Sequence, residues 1–284
     1  MGKASKIKHD LDDIIELVQI IQILKDVADN KFHTLATRKD RFFRFGESFV
    51  EFFTMISLSK VRHPLVSNDN PKMAIISITS EAGFMGDLNN KVIRTTLDEY
   101  SKHPGSVVIT VGRKGADRLG TAVGQMKVFE NIEEVGLYQT AINIKDYVIK
   151  EVVENRIGKV VAIYPWSKNF MTQKPRIVPL LPCEELLTKQ QSFVDSIERV
   201  IEESDPIDII GYLADIWIVC RLYELLHDTT ISEAAAQSQQ LESSVQTMQK
   251  EKKGIQVAFK KASKGDIDKA MREVFTSRIM VKGR

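Results

Sequence analysis

Two glycine-containing loops, residues 80–89 and 112–115, contain the residue types that phosphate-binding loops use. Each follows a short apolar segment and precedes a helical pattern, which is where α/β proteins bind phosphate groups. Neither loop has the G-x-x-x-x-G-K-[ST] spacing, and Lys114 is followed by Gly115 instead of a hydroxyl residue that could hold magnesium. Because glycine tolerates positive φ, we expect two tight turns, no nucleotide site and no cofactor.

The side chains that could ligate a metal are scattered along the chain. None of them has the spacing of an H-E-x-x-H or a C-x-x-C motif. We therefore expect no metal site and two reduced thiols. These residues are His9, His33, His63, His103, His227, Cys183 and Cys220.

The charge pattern separates the whole chain from its C-terminal end. With 43% hydrophobic and 27% charged residues and a formal net charge of +2, the chain is typical of a folded protein and not of a nucleic-acid binder. Residues 250–284 are strongly basic but have few aromatic residues for base stacking. We expect this segment to meet an acidic protein surface, and a simply solvated helix face is the alternative. No apolar run is long enough to insert in a membrane.

The N-terminal segment has the heptad pattern of a coiled coil. Steps of four and three from Ile7 to Ile56 meet apolar residues everywhere except at Lys25, Lys39 and Gly46, and the first proline lies beyond this segment. A second segment without proline runs from residue 207 to near the end, with a weaker apolar seam. Since a single strand of a coiled coil is unstable, we expect the two helices to form an antiparallel pair.

The middle of the chain alternates between short strand patterns and helical patterns, which predicts an α/β domain with a partly parallel sheet. The predicted division is 1–62 for the first coiled-coil helix, 63–206 for the α/β domain and 207–284 for the second coiled-coil helix. The predicted strands are 73–78, 107–111, 159–164 and 176–181, the last two joined by a loop that contains Pro165 and Asn169, and the predicted helices are 88–100, 139–155 and 186–202.

Three motifs in this order resemble those of one protein family. Residues 78–89, ITSEAGFMGDLN, are similar to I-T-S-D-x-G-L-C-G-x-L-N, residues 111–115 to V-G-[RK]-K-G, and residues 232–236, SEAAA, to the start of S-E-x-A-A-R-M. Together they resemble the γ subunit of F-type rotary ATPases, the central stalk that turns inside a ring of nucleotide-binding subunits. The resemblance covers essentially the whole chain.

The resemblance implies a long antiparallel coiled coil of the two terminal helices with a central Rossmann-like α/β domain. It implies a subunit without an active site, whose asymmetric surface shifts the nucleotide affinities of successive catalytic subunits as it turns. The implied partners are a hexameric α/β ring, an ε-type subunit and a membrane c-ring, with no nucleic acid. The implied location is peripheral, at the cytoplasmic face of the bacterial inner membrane or an equivalent organellar membrane.

The resemblance also implies where partners would contact the chain. The matched positions for the catalytic ring are Gln22, Lys25, Asp26, Gln237, Ser263, Lys264 and Asp268, and those for the rotor and ε-type side are Glu203, Asp205 and Pro206. Several of these depart from the family pattern: Gln237 replaces an arginine, and Ser263-Lys264 replaces an arginine-glutamine pair. Lysine cannot reproduce the bidentate geometry of arginine.

Two further interpretations stay open at this point. One is a γ-like shaft of a specialised F1-like motor that is not coupled to ion transport. The other is a stand-alone nucleotide-binding protein with coiled-coil arms. The sequence does not indicate the coupling ion or the direction of the reaction.

Overall fold

A computed structural model describes residues 3–54, 63–183 and 205–282. The helices are α1 (Lys3–Thr54), α2 (Leu88–Lys102), α3 (Arg113–Leu119), α4 (Leu137–Val153) and α5 (Pro206–Lys282), with a 3-10 turn at Glu134–Gly136. The strands are β1 (Met73–Ile78), β2 (Val107–Val111), β3 (Met126–Phe129), β4 (Lys159–Asn169) and β5 (Thr172–Leu181).

The five strands form one sheet in the order β3-β2-β1-β4-β5. β1 lies at the centre, parallel to β2 and β4, so that Ala74 faces Val107 on one side and Val160 on the other. Only β5 is antiparallel to its neighbour. All six residues of β1 are buried, as expected for a central strand that is covered on both faces.

Each face of the sheet packs against helices. The larger apolar core combines sheet residues with residues of α4 and α5, including Ile144, Val148 and Leu222. On the opposite face, α2 contributes Val92 to a cluster with Ile75. This arrangement places the carboxyl end of β1 and the loop that follows it beside the long helices.

The chain divides into two compact units, Met1–Ala28 with Ser238–Arg284, and Asp29–Gln237. In the first unit α1 runs toward residue 28 and α5 runs away from residue 238, so the two segments form an antiparallel pair. Ile14 and Leu241 are among the buried residues of this pair. Lys25, a polar residue in the apolar seam, forms an ion pair with Glu242 at 3.0 Å. Within the first unit, the seam predicted from the heptad pattern is therefore the packed face of α1.

The strands β1 and β2 have the bounds that the sequence predicts, but the loop predicted between the last two strands is wrong. Pro165 and Asn169 lie within β4, and β5 begins at Thr172. Proline is compatible with this position because the pairing of β4 with β1 ends at Ile163, so no neighbouring strand requires an amide from Pro165 on that side.

Three other differences concern elements of the α/β region. β3 was not predicted, and Gly115 lies inside α3 instead of in a loop. The helix predicted over 186–202 lies outside the described residues. The three-part division of the chain at 62 and 206 stays a prediction.

Candidate functional site

The first motif closes the β1–α2 loop with its own side chains. The amide of Ser80 donates to Oδ1 of Asn89 at 3.1 Å, and Nδ2 of Asn89 donates to Oγ of Ser80 at 2.8 Å. The Ser80 hydroxyl in turn donates to the carbonyl oxygen of Ala82 at 2.8 Å. Ser80 and Asn89 are thus used to hold the loop together.

The second motif packs directly on the first. The amide of Gly112 donates to the carbonyl of Phe129 at 2.9 Å, that of Lys114 to the carbonyl of Ser80 at 3.2 Å, and that of Gly115 to Oγ1 of Thr79 at 2.8 Å. A phosphate-binding loop needs such amides to be free for the ligand. Because these three amides already have acceptors, the loop stabilises the carboxyl edge of the sheet and is not arranged to bind phosphate.

The third motif places a carboxyl group beside this edge. Glu233 on α5 lies near Lys31 of α1 and near Glu81 of the β1–α2 loop. Lys31 forms an ion pair with Glu134 at 2.8 Å, and Oε1 of Glu81 accepts the amide proton of Ile132 at 3.2 Å. We call Lys31, Glu81, Glu134 and Glu233 the Glu233 cluster.

The Glu233 cluster has an unusual acid. Desolvation by burial raises the pKa of Glu233 to about 7; the charge of Lys31 opposes this shift and the charge of Glu81 adds to it. The sequence contains a signal for Glu233, the SEAAA motif, and for Glu81, which lies in the motif of residues 78–89, but none for Lys31 or Glu134.

Within the described residues, no three His, Cys, Asp or Glu side chains are grouped so that they could hold a metal ion. Cys183 is buried, and burial raises the pKa of the half-buried Cys220 thiol. None of the helices in the described ranges is long and apolar enough to cross a membrane.

The predicted ring-contact residues of α1 interact with each other or with α5. Nε2 of Gln22 donates to Oδ1 of Asp26 at 3.0 Å. Lys25 is only 23% exposed in its ion pair with Glu242, and hydrogen bonds from Lys25 and Gln246 lower the pKa of the Glu242 carboxyl. Lys25 therefore has a partner within the helix pair.

The residues of α5 that are predicted to contact the ring do not lie together. Gln237 is half-buried and belongs to the second unit, whereas Ser263, Lys264 and Asp268 belong to the first, where Lys264 and Asp268 are exposed. Their contact with a ring stays a prediction.

The predicted rotor-side residues lie at the start of α5. Oδ1 of Asp205 accepts the amide proton of Ile207 at 2.9 Å, and Pro206 occupies the first position of the helix, so both have the chemistry of a helix start. Glu203 lies outside the described residues.

Sequence reasoning did not single out the exposed apolar residues of the helix pair. Ile20, Ile23 and Val27 of α1 lie off the buried seam, and Ile23 is 63% exposed. On α5, Met271 and Phe275 are exposed as well. The available signal was the set of apolar residues in α1 that the heptad seam does not include.

The described elements define a class of protein: an α/β domain inserted between two long helices whose ends pair with each other. The family model described as ATP synthase matches residues 3–278. The ATP synthase gamma chain of Pelotomaculum thermopropionicum is 27% identical over 219 residues, covering 75% of both chains. That of Lachnoclostridium phytofermentans is 24% identical over 221 residues, covering 75% of this chain and 76% of the relative.

Solved structures have the same fold. A chain in the central stalk and c-ring structure of the Tetrahymena thermophila mitochondrial ATP synthase has a TM-score of 0.61 at 19% identity, covering 79% of this chain and 99% of that one. A chain of the Euglena gracilis mitochondrial ATP synthase has a TM-score of 0.65 at 14% identity, covering 98% of this chain and 94% of that one.

The chain belongs to the family of ATP synthase γ chains. It is accordingly a central-stalk subunit of an F1 ATP synthase and is not itself catalytic. The structural role of the two glycine-containing loops agrees with this assignment.

Proposed function

We propose that the helix pair of the first unit turns inside a hexameric α/β ring and couples the nucleotide chemistry of that ring to rotation of a membrane c-ring. The observation that supports this proposal best is the family match over residues 3–278. In mechanical terms, each orientation of an asymmetric shaft favours one set of ring conformations, so rotation shifts their nucleotide affinities in turn.

The exposed apolar residues of α1 form the surface that we assign to the ring. Ile20, Ile23 and Val27 follow one another at spacings of three and four, so they lie on one face of the helix. All three are exposed, while Ile14 and Ala28 of the seam are buried. An apolar strip of this kind on the outside of a helix pair is typical of an interaction surface.

Polar residues around this strip would add orientation-dependent contacts. We assign Gln22, Lys25 and Asp26 to the same ring-facing region, with Gln237, Ser263, Lys264 and Asp268 on α5. Contact of Lys25 with an acidic ring loop would compete with its ion pair to Glu242. Since Glu242 is 42% exposed, loss of that pair costs at most about 1 kcal/mol.

We assign the start of α5 to the other side of the complex. Glu203, Asp205 and Pro206 would lie near the c-ring and an ε-type subunit, with the chain peripheral at the cytoplasmic face of a bacterial inner membrane or an equivalent organellar membrane. The similar solved structures are of a central stalk with a c-ring, a rotor, and an F1 with a c-ring, which supports this assignment. The division into 1–62, 63–206 and 207–284 would then separate the shaft helices from the α/β domain.

The test is co-expression of this chain with ring, ε-type and c-ring subunits, followed by purification through a tag on the α/β domain and an ATPase assay. The substitution Ile23→Asp should weaken ring recovery by at least about tenfold, because it would bury an unpaired charge. The control is Val153→Asp on α4, since Val153 is 59% exposed and lies in the other unit. Both variants should melt like the unsubstituted chain.

Three outcomes would change the proposal. Equal ring recovery with Ile23→Asp and Val153→Asp would remove the assigned strip from the interface. Recovery of an ATP-hydrolysing ring without a c-ring would favour the specialised motor without ion transport. Recovery of the chain alone with ATP bound to it would favour the stand-alone nucleotide-binding protein.

A further inference from the structure

The last part of the β4–β5 hairpin extends beyond the rest of the sheet. Pairing of β4 with the central strand β1 ends at Ile163, whereas its pairing with β5 continues from Tyr164 to Asn169, which faces Thr172. Among the described strands, none lies beside this last part, which is therefore a two-stranded ribbon. Because a ribbon of this kind is marginally stable by itself in water, its conformation requires other contacts.

Contacts at the turn hold this ribbon, residues 164–176, which we call the hairpin tip. The ring of Phe170 meets that of Phe32 on α1 edge to face at 5.0 Å. Oδ1 of Asn169 accepts the amide proton of Met171 at 3.1 Å, which closes the turn. With Phe170 against the helix, the side chain of Met171 is 71% exposed. The hairpin tip therefore presents a held surface to solvent.

The exposed surface of the hairpin tip is cationic. Residues 159–183 contain no aspartate or glutamate, and Lys168, Lys174 and Arg176 are exposed. None of these three side chains forms an ion pair with another described residue. Arg176 instead lies over the ring of Trp166, 5.2 Å from its centroid. Three cations with no carboxylate of their own favour an acidic partner.

The backbone of β5 opposes a partner that would add a further strand. β5 is the outer strand of the sheet, but Pro175 and Pro179 have no amide proton, so it lacks two of the donors that strand addition uses. Recognition would therefore depend on side chains. Met171 adds a flexible apolar contact to the three cations. This chemistry fits a protein segment that has carboxylates and at least one apolar side chain.

The hairpin tip lies beside the part of α1 that follows the ring-facing strip. Its contact residue Phe32 comes four positions after Ala28, the last α1 residue of the first unit. The strip of Ile20, Ile23 and Val27 that we assign to the ring lies just before that boundary. A subunit of a ring around the first part of α1 is therefore the nearest partner along this helix.

We propose that the hairpin tip docks an acidic segment of a ring subunit, with Lys168, Lys174 and Arg176 contacting its carboxylates and Met171 contacting an apolar side chain. This proposal rests on the proposed function, because the ring is the partner in both. It adds a contact from the α/β domain to the strip on α1. A contact that is released at each step of rotation has to be weak, and exposed ion pairs have this property.

The first measurement is carbodiimide cross-linking of the co-expressed complex, followed by mass spectrometry of the linked peptides. The reagent joins a lysine amine to a carboxylate only where the two groups touch. Lys168 and Lys174 should be linked to aspartate or glutamate of a ring subunit. The control is Lys159, which is also exposed but pairs with Met73 at the opposite end of β4 and should not be linked to the ring.

The outcomes of this measurement separate the two proposals. A recovered ring with no link to Lys168 or Lys174 would overturn the docking proposal and leave the proposed function in place. Absence of ring subunits from the purified complex would overturn both. Links from these lysines to an ε-type subunit or to a second copy of the chain, and not to the ring, would overturn the ring as the partner.

The second measurement compares the double substitution Lys168→Glu and Lys174→Glu with the control Lys159→Glu. Because all three positions are exposed, both variants should melt like the unsubstituted chain. The double variant should lower ring recovery about fivefold at about 0.15 M salt, and the difference should disappear at about 1 M salt.

Lysines on an outer strand can also act only by preventing that strand from pairing with other chains. In that case the double variant would self-associate and keep its ring recovery. Unchanged ring recovery at low salt, with or without self-association, would overturn the docking proposal.

Discussion

Replacement of Gly112 by alanine should be among the most damaging small changes in the α/β domain. Gly112 has φ +93°, and a Cβ atom there would lie 2.1 Å from the carbonyl oxygen of Thr79. This oxygen belongs to backbone that is fixed from both sides, because the Thr79 amide donates to Val111 and its Oγ1 accepts from Gly115. The strained backbone costs about 1–3 kcal/mol and the overpacking about as much again. We therefore expect Gly112→Ala to lower the free energy of unfolding by about 4 kcal/mol.

Three other glycines separate the two contributions. Gly105 has φ +85° but open space around it, so alanine there should cost about 1 kcal/mol for the backbone alone. Gly158 has no positive φ, but a Cβ would lie 2.2 Å from the carbonyl oxygen of Asn70, so its alanine variant should show the steric cost of about 1–3 kcal/mol. Gly136 has neither constraint, so Gly136→Ala should change the free energy of unfolding by less than about 0.5 kcal/mol.

The assay is denaturant unfolding followed by tryptophan fluorescence. Both tryptophans, Trp166 in β4 and Trp217 in α5, belong to the second unit, so the signal reports the part of the chain that contains the four glycines. At about 2–4 °C per kcal/mol, Gly112→Ala should also lower the melting temperature by roughly 10 °C. If the free energies of unfolding of Gly112→Ala and Gly136→Ala differ by less than about 0.5 kcal/mol, the steric argument is refuted.

Three further predictions concern single contacts. A double-mutant cycle on Lys25 and Glu242 should give a coupling of no more than about 1 kcal/mol that decreases with added salt, because the Glu242 carboxylate is open to solvent; a larger, salt-independent coupling would contradict this. In the folded chain at pH 8, the Cys220 thiol should react with a disulfide reagent at least about tenfold more slowly than in the chain unfolded in guanidinium, because burial raises its pKa. Equal rates would contradict the burial of this thiol. Phe170→Ala should destabilise the second unit by about 1 kcal/mol beyond the loss of buried area, since the rings of Phe32 and Phe170 meet edge to face at 5.0 Å, and Phe32→Ala should add little to it.

The sequence predicts those elements whose environment is uniform along their length. β1 and β2 are short apolar runs in the middle of the sheet, and their bounds follow from the runs alone. β3 is an edge strand with no fully buried residue, so Met126–Phe129 has no pattern to reveal it. The sequence predicts a shorter hairpin of β4 and β5, with Pro165 in its loop, because proline is uncommon inside strands. In the structure Pro165 faces Pro175, so neither proline faces a residue that could donate an amide proton to it or need one from it.

The candidate site was predictable only in part, because a sequence shows contiguous motifs but not the contacts between remote residues. The three motifs can be recognised because each is contiguous, but the charge environment of Glu233 arises from residues that only the fold brings together. The partner of Lys25 is similarly remote in sequence, so its ion pair with Glu242 has no local signal. A heptad pattern predicts that Lys25 faces α5, and it does not predict which acid is opposite.

The motifs with the strongest resemblance lie where other open α/β sheets bind a phosphate group, at the carboxyl ends of the parallel strands. In this chain three amides at that edge are already bonded within the protein: Gly115 to Thr79, Lys114 to Ser80, and Gly112 to Phe129 at the end of β3. A ligand site would require these groups to be free and the loops to be held from elsewhere. The same edge instead is held to the helices by the apolar contact of Met85 and Leu88 with Ala236 and by the ion pair of Lys31 with Glu134. A subunit that transmits rotation needs a firm connection between its domain and its long helices. The polar and apolar groups at this edge of the sheet make that connection.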